Sequence, residues 1–239
     1  MIQKISNLSF FILMVVMNYL ANALPINGKT TGDLSDAYPN LFVPAGITFS
    51  IWGVIYLMLL LFVLLQFRES NRESVQQLGW LFAISCILNS LWIVAWHYQW
   101  LLLSLVIMLG LLVTLVVINI SLKQQPLSIT KASFGIYLGW ICIATIANVT
   151  ALLVSYGWGG WGLSPQVWTI LLIAIGASIV LITQVRLSNP FIGLAVVWAF
   201  LGIAIKRESD FQSIFYMAIA AMVVVGLFTV FQFVRGRVY

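Results

Sequence analysis

The sequence predicts an all-α polytopic membrane bundle. Of its 239 residues 62% are hydrophobic and 7% charged, whereas soluble domains run at about 25% charged. The chain also divides into apolar runs long enough to cross a bilayer, roughly 20 residues each. Together these observations exclude a soluble globular protein.

In order, the spanning runs cover 5–24, 44–67, 77–97, 101–122, 132–156, 165–185 and 211–234, with a shorter run at 190–205. Pro190 can open that short run as a first-turn residue. Its length corresponds to about 24 Å of helix, so it counts as an eighth span with help from its flanks. With eight spans, Lys4, Arg68, Arg72, Lys123, Lys131, Arg186, Arg235 and Arg237 share one side, and Lys29, Lys206 and Arg207 the other. The positive-inside rule then places both termini in the cytoplasm, and a bacterial cytoplasmic membrane is the expected location. If the short run does not cross, Lys206 and Arg207 exchange sides with Arg235 and Arg237, so charge determines only the N-terminus. Lys4 ahead of the first run and Ala21, Asn22, Ala23 behind it also fit a cleavable signal peptide. In either case the segment from Leu24 to Val43 lies outside.

The formal charge of +5 does not indicate nucleic acid, because the basic residues never cluster and most flank apolar runs. Cys86 and Cys142 both lie within such runs and read as core residues, not as a disulfide or metal pair. No Lys, Arg, Asp or Glu falls in the core of a span, which removes a retinal Schiff base and the signatures of proton relays and ion-coupled carriers. His97 is alone, so a His pair cannot ligate haem within one chain; at a span boundary it is expected to be solvated. No phosphate loop, nucleophile elbow or Cys-x-x-Cys pair is present. Asn148, Val149 and Thr150 form a sequon inside a span, beyond any transferase.

The loop 25–43 is long for a helix connection and rich in turn formers: Pro25, Gly28, Gly32 and Pro39 punctuate it. Tyr38, Leu41 and Phe42 give it apolar anchors, so it is expected to form an ordered lid, with Asp33 and Asp36 as solvated charges. Span two then opens with Pro44 and Gly46 and carries Phe49, Trp52 and Tyr56 on one stripe. Span three carries Asn89 and Trp92, with Trp96 one turn on; span five carries Trp140, Ala144, Thr145 and Asn148. Trp52, Asn89 and Asn148 all lie about 12 Å below the outer surface, suggesting one polar-aromatic layer. Two interpretations of that layer stay open. The amides serve as interhelical glue or as ligand contacts, and Trp52, Trp92 and Trp140 as packing or pocket wall. Trp96, Trp100, Trp158, Trp161 and Trp168 read as boundary anchors.

At these residues the chain resembles the TspO/MBR family, the tryptophan-rich sensory or translocator proteins. Three stretches carry the likeness: Pro44, Gly46, Phe49, Trp52 and Tyr56; Asn89 and Trp92; and Tyr137, Leu138, Trp140, Ala144, Thr145 and Asn148. Ala45, Ile47 and Phe42 stand where the family commonly has Pro, Trp and Trp. The likeness covers residues 5–156 and implies a five-helix domain, 1–156, to which 157–239 adds about three more transmembrane helices. It further implies a ligand pocket beneath the lid, with no covalent cofactor and a porphyrin or other tetrapyrrole as candidate ligand. The implied ligand-binding residues are Phe49, Trp52, Tyr56, Asn89, Trp92, Trp140, Ala144, Thr145 and Asn148, under a lid of Tyr38, Leu41, Phe42 and Pro44. The expected partners are the bilayer, a small hydrophobic ligand and, through a Gly135-x-x-x-Gly139 face, a second copy of the chain. A receptor-like binder of a flat hydrophobic ligand is the leading functional expectation. An uncoupled transporter of amphipathic molecules and a light-dependent porphyrin-degrading enzyme are the alternatives.

Overall fold

A computed structural model describes residues 1–24 and 26–235. Pro25 of the loop and Arg237 of the charge count lie outside the described residues. Among the described residues there are ten α-helices: α1 (Ile2–Ala23), α2 (Thr31–Asp36), α3 (Ile51–Leu65), α4 (Arg72–Leu78), α5 (Leu81–His97), α6 (Leu101–Ser121), α7 (Ile129–Ser155), α8 (Pro165–Leu187), α9 (Phe191–Arg207) and α10 (Gln212–Arg235). No strand occurs among the described residues.

Among the described residues six helical segments are long and apolar enough to cross a membrane: α1, α3 with its leading 3-10 turn, α6, α7, α8 and α10. The predicted third span is broken, because Gly79 takes a positive φ of 51° and α4 meets α5 at 62°. Counted together, α4 and α5 make a seventh candidate. The predicted eighth, α9, has 17 residues and rises about 26 Å, short for a span. Side chains such as Leu57, Leu64, Val106, Val113 and Leu227 project outward, as lipid-facing residues of a bundle must.

Local signals set the helix starts. The hydroxyl of Ser128 accepts from the Lys131 amide at the head of α7, and that of Ser164 from Val167 ahead of α8, which has Pro165 in its first turn. Such caps satisfy amides that no helical carbonyl can reach. Between α8 and α9 the chain turns through Ser188 at φ 51°, and the Asn189 side chain caps α9 by accepting from the Phe191 amide.

The helix α9 is the least expected feature. It packs along α7, α8 and α10 and is the most enclosed of the C-terminal helices, with Ile192, Ala195, Val196, Ala199, Phe200 and Ile203 wholly buried. One hydrophobic core runs through both the 1–156 and the 157–239 segments. Gly135 and Gly139, expected as a self-association face, are covered from within the same chain. A Cβ on Gly139 would collide with the Ile192 carbonyl, and one on Gly135 would meet Asn189 and Phe191. The small residues permit close helix approach as predicted, but their partner is α9.

Gly139→Ala is therefore expected to destabilise the protein by about 1–3 kcal/mol through overpacking. Gly53→Ala on α3, where a new Cβ meets nothing within 4 Å, is expected to be neutral or slightly stabilising. Thermal unfolding in mild detergent compares the two; equal midpoints would refute the α7–α9 seam.

Candidate functional site

The lid is an ordered structure built on short-range chemistry. Thr30 and Asp33 form a reciprocal capping box at the start of α2: the Thr30 hydroxyl accepts from the Asp33 amide, and the Asp33 carboxylate from the Thr30 amide. The Thr30 amide donating to it, and after that the Thr30 hydroxyl, hold the Asp33 carboxyl below the ordinary carboxylate range. Further on, the Asn40 side chain accepts from the amides of Phe42 and Val43, an Asx turn that folds the chain back toward the bundle.

Aromatic and polar contacts then bind the lid to the end of α5. Tyr38 packs at 6.2 Å from Trp96 and donates to Gln99; burial raises its hydroxyl pKa. Thr31 lies 3.5 Å from His97 Nε2, while His97 Nδ1 lies 2.8 Å from the Ile93 carbonyl. His97 is completely buried. The expectation of a solvated boundary histidine fails because the lid folds over it.

Beneath the lid is a cavity of about 50 Å³. Phe49 and Trp52 of the α3 segment form one wall with Trp140 of α7, and Trp92 and Trp96 of α5 form another. The first wall meets edge to face, with Trp140 at 6.0 Å from Phe49 and 6.2 Å from Trp52. The second is a stacked pair 5.8 Å apart. The hollow between them follows from α7, which presents Ala144, Ala147 and Ala151 with Asn148 on that face. Residues three and four apart share a helix face, so a run of small side chains leaves a trough where larger ones would fill the bundle. The roof includes Thr31, Ser35, Val43 and Pro44.

Two larger clefts adjoin it. One of about 600 Å³, lined in part by Asn18, Asn22 and Tyr56, shares Thr31, Phe49 and Trp52 with the cavity. The other, of about 530 Å³ between the lid, the α8 start and the α9 end, shares Ser35 and Val43.

The structure divides the expected site residues. Phe49, Trp52, Trp92, Trp140, Ala144 and Asn148 line the cavity with Pro44. Asn89 does not. It is fully buried, accepting from Asn18 at 2.7 Å and donating to the Tyr137 hydroxyl at 2.9 Å, so it joins α1, α5 and α7 as glue. Thr145 returns its hydroxyl to the Ile141 carbonyl and lies off the lining. Tyr56 stacks on Trp52 at 5.6 Å but opens on the 600 Å³ cleft. Of the lid residues, Phe42 is buried in the core, while Leu41 borders the 530 Å³ cleft. Trp96, read as a boundary anchor, is a cavity wall; Ala147 and Ala151 were missed, though their spacing with Ala144 was visible. Asn148 has a double attachment, lining the cavity while its amide oxygen accepts from Ser104 of α6 at 3.2 Å.

The electrostatics of this cavity are those of unused donors. Trp92 and Trp140 are 6% and 3% exposed, and neither indole N–H has a partner within the protein. A buried donor without an acceptor costs roughly 1–3 kcal/mol. The lining thus presents aromatic faces together with two indole N–H donors that have no partner in the protein. Among the described residues there is no cluster of His, Cys, Asp and Glu able to hold a metal ion.

Asn89→Leu is expected to cost about 1–3 kcal/mol of stability, since Asn18 and Tyr137 each lose a buried partner. Asn148→Leu should cost less, because the Ser104 hydroxyl keeps its bond to the Leu101 carbonyl at 2.8 Å. Chemical or thermal unfolding of both variants checks the order; the reverse order would contradict the assignment of Asn89 as glue.

In comparison with known proteins, the profile of the family described as TSPO-like protein aligns with residues 4–231. No curated protein and no solved structure matches the chain. The matched region extends well past the 5–156 that the three motifs suggested and takes in α8, α9 and most of α10.

Proposed function

The chain belongs to the TSPO-like protein family, and from that premise we propose that it is a receptor-like membrane protein that binds a flat, hydrophobic, acceptor-bearing ligand in the aromatic cavity under its lid. The observation that carries this reading is the pair of partnerless indole donors, Trp92 and Trp140, that line one cavity. Structural tryptophans in a bundle normally find a carbonyl, as Trp198 does on Thr48 and Trp168 on Gly160. Donors left free where the walls are aromatic favour a ligand that stacks on the rings and accepts from their N–H groups. A porphyrin meets both requirements and is the first candidate.

At about 50 Å³ the cavity is too small for such a ligand, since small-molecule pockets run to about 300–1,000 Å³. Binding therefore requires the walls to part. The side chains of Phe49 and Trp52 separate the cavity from a cleft of about 600 Å³, so rotation of those two rings merges the volumes. In this reading the lid faces away from the cytoplasm, as the distribution of Lys and Arg indicates.

Titration of the purified protein with protoporphyrin IX should quench tryptophan fluorescence and shift the Soret band. Trp140→Phe, which keeps the ring and removes the N–H, is expected to weaken binding by roughly 1–2 kcal/mol, or about 5–30-fold. Asn148→Leu is expected to weaken it by a similar amount while moving the unfolding midpoint less. No quenching and no Soret shift would reject the porphyrin reading; new products only under illumination would favour the degradative alternative.

A further inference from the structure

The lid is held from an unexpected direction. The last turn of α9 carries Lys206 and Arg207, and both reach over to it. Arg207, whose side chain is 9% exposed, donates through Nε to the Leu41 carbonyl at 3.1 Å, through Nη2 to the Asn40 carbonyl at 3.2 Å, and through Nη1 to Asp210 at 3.0 Å. Lys206 pairs with Asp36 at 2.9 Å. Deeper in the bundle α9 takes two more bonds from the same stretch of chain: the Ala45 amide donates to the Gly202 carbonyl at 3.0 Å, and Trp198 donates to the Thr48 carbonyl at 2.9 Å. Gly202 lies so close to Thr48 that no side chain fits between them.

These contacts fall into two tiers. The deep tier, at Ala45 and Thr48, is backbone-anchored and closely packed. The outer tier, at Asp36, Asn40 and Leu41, depends on two cationic side chains at a helix end. Between the tiers lies Val43, which with Ser35 forms the partition between the cavity and the 530 Å³ cleft.

We propose that the end of α9 is a clasp gating the aromatic cavity: when Arg207 and Lys206 release the lid, the segment 36–43 swings about the Ala45–Thr48 anchor and opens the cavity to the cleft. The proposal rests on the ligand-binding reading for its purpose but not for its mechanics. It gives the C-terminal helices a role in ligand exchange, with Arg207 as a positioning residue that acts through the lid and touches no ligand. The Asp36 carboxylate is well exposed, at 69%, so its pair with Lys206 is the weaker part of the clasp, and Arg207 is the stronger.

The test uses the full chain in nanodiscs with Ala151→Cys as a reporter inside the cavity, in a background carrying Cys86→Ala and Cys142→Ala. A membrane-impermeant methanethiosulfonate labels the reporter, read by intact mass, with no ligand present. Arg207→Met is expected to accelerate labelling on the order of tenfold, because the rate follows the open fraction. Arg207→Lys should fall between it and the parent, and Asp36→Asn should give about a twofold acceleration on the same argument. Should Arg207→Met not fold, Asp36→Asn decides. Equal labelling rates in the parent and in every folded variant overturn the proposal. Protoporphyrin IX is then added: association and dissociation both faster in Arg207→Met, with affinity little changed, supports the gate. Accelerated labelling with no porphyrin binding to any variant upholds the gate and refutes the porphyrin reading instead.

Discussion

A polar side chain inside an apolar bundle must find its partner within the protein, because neither lipid nor solvent supplies one, and most of this structure follows from that requirement. Asn7 reaches Gln66 between α1 and the end of α3, and Asn18, Asn89 and Tyr137 form a chain through α1, α5 and α7. Ser104 and Asn148 join α6 to α7; Asn189 joins the turn before α9 to Asn119 of α6 and the Lys131 carbonyl of α7. Thr229 and Gln184 join α10 to α8. Apolar packing in lipid supplies little register of its own, since one leucine surface fits another in many ways. The amide pairs restrict which turn of each helix faces which.

Against that background the groups without partners are informative. Six buried side-chain atoms lack a hydrogen bond among the described residues, and two of them, the indole nitrogens of Trp92 and Trp140, border one cavity. The Tyr56 hydroxyl, also unpartnered, borders the cleft beside it. Thr48 is explained by its closeness to Gly202; for the Asn7 oxygen and the Gln184 nitrogen the structure offers no physical account. Exceptions to the satisfaction rule therefore concentrate where aromatic walls and small alanines have left space.

The same economy explains how a membrane protein can carry helices beyond its aromatic cavity without becoming two bodies. Gly135 and Gly139 let α9 lie against α7, Gly193 lets it approach α8 and α10 at Gln184 and Thr229, and Gly202 lets the leading turn of α3 reach it. Each glycine removes a side chain where two backbones approach. The consequence is that α9 touches the helix bearing the cavity and the segment that roofs it.

Much was legible in the sequence. Composition and run length alone determine a helical membrane bundle, because spans this long and apolar satisfy their backbone as helices, and depth along the spans groups Trp52, Asn89 and Asn148 in one layer. Those signals are local, set by residues within a turn or two of one another. Tertiary structure alone decided which neighbour each face would meet. Asn89 and Asn148 look alike in sequence, yet one is enclosed by Asn18 and Tyr137 and the other borders a cavity. Trp96 and His97 read as boundary residues until the lid covers them, and the glycine pair of α7 reads as a dimer face until α9 occupies it. Periodicity specifies a direction around a helix axis; what lies in that direction depends on contacts between residues up to 170 positions apart, as Lys206 and Asp36 are.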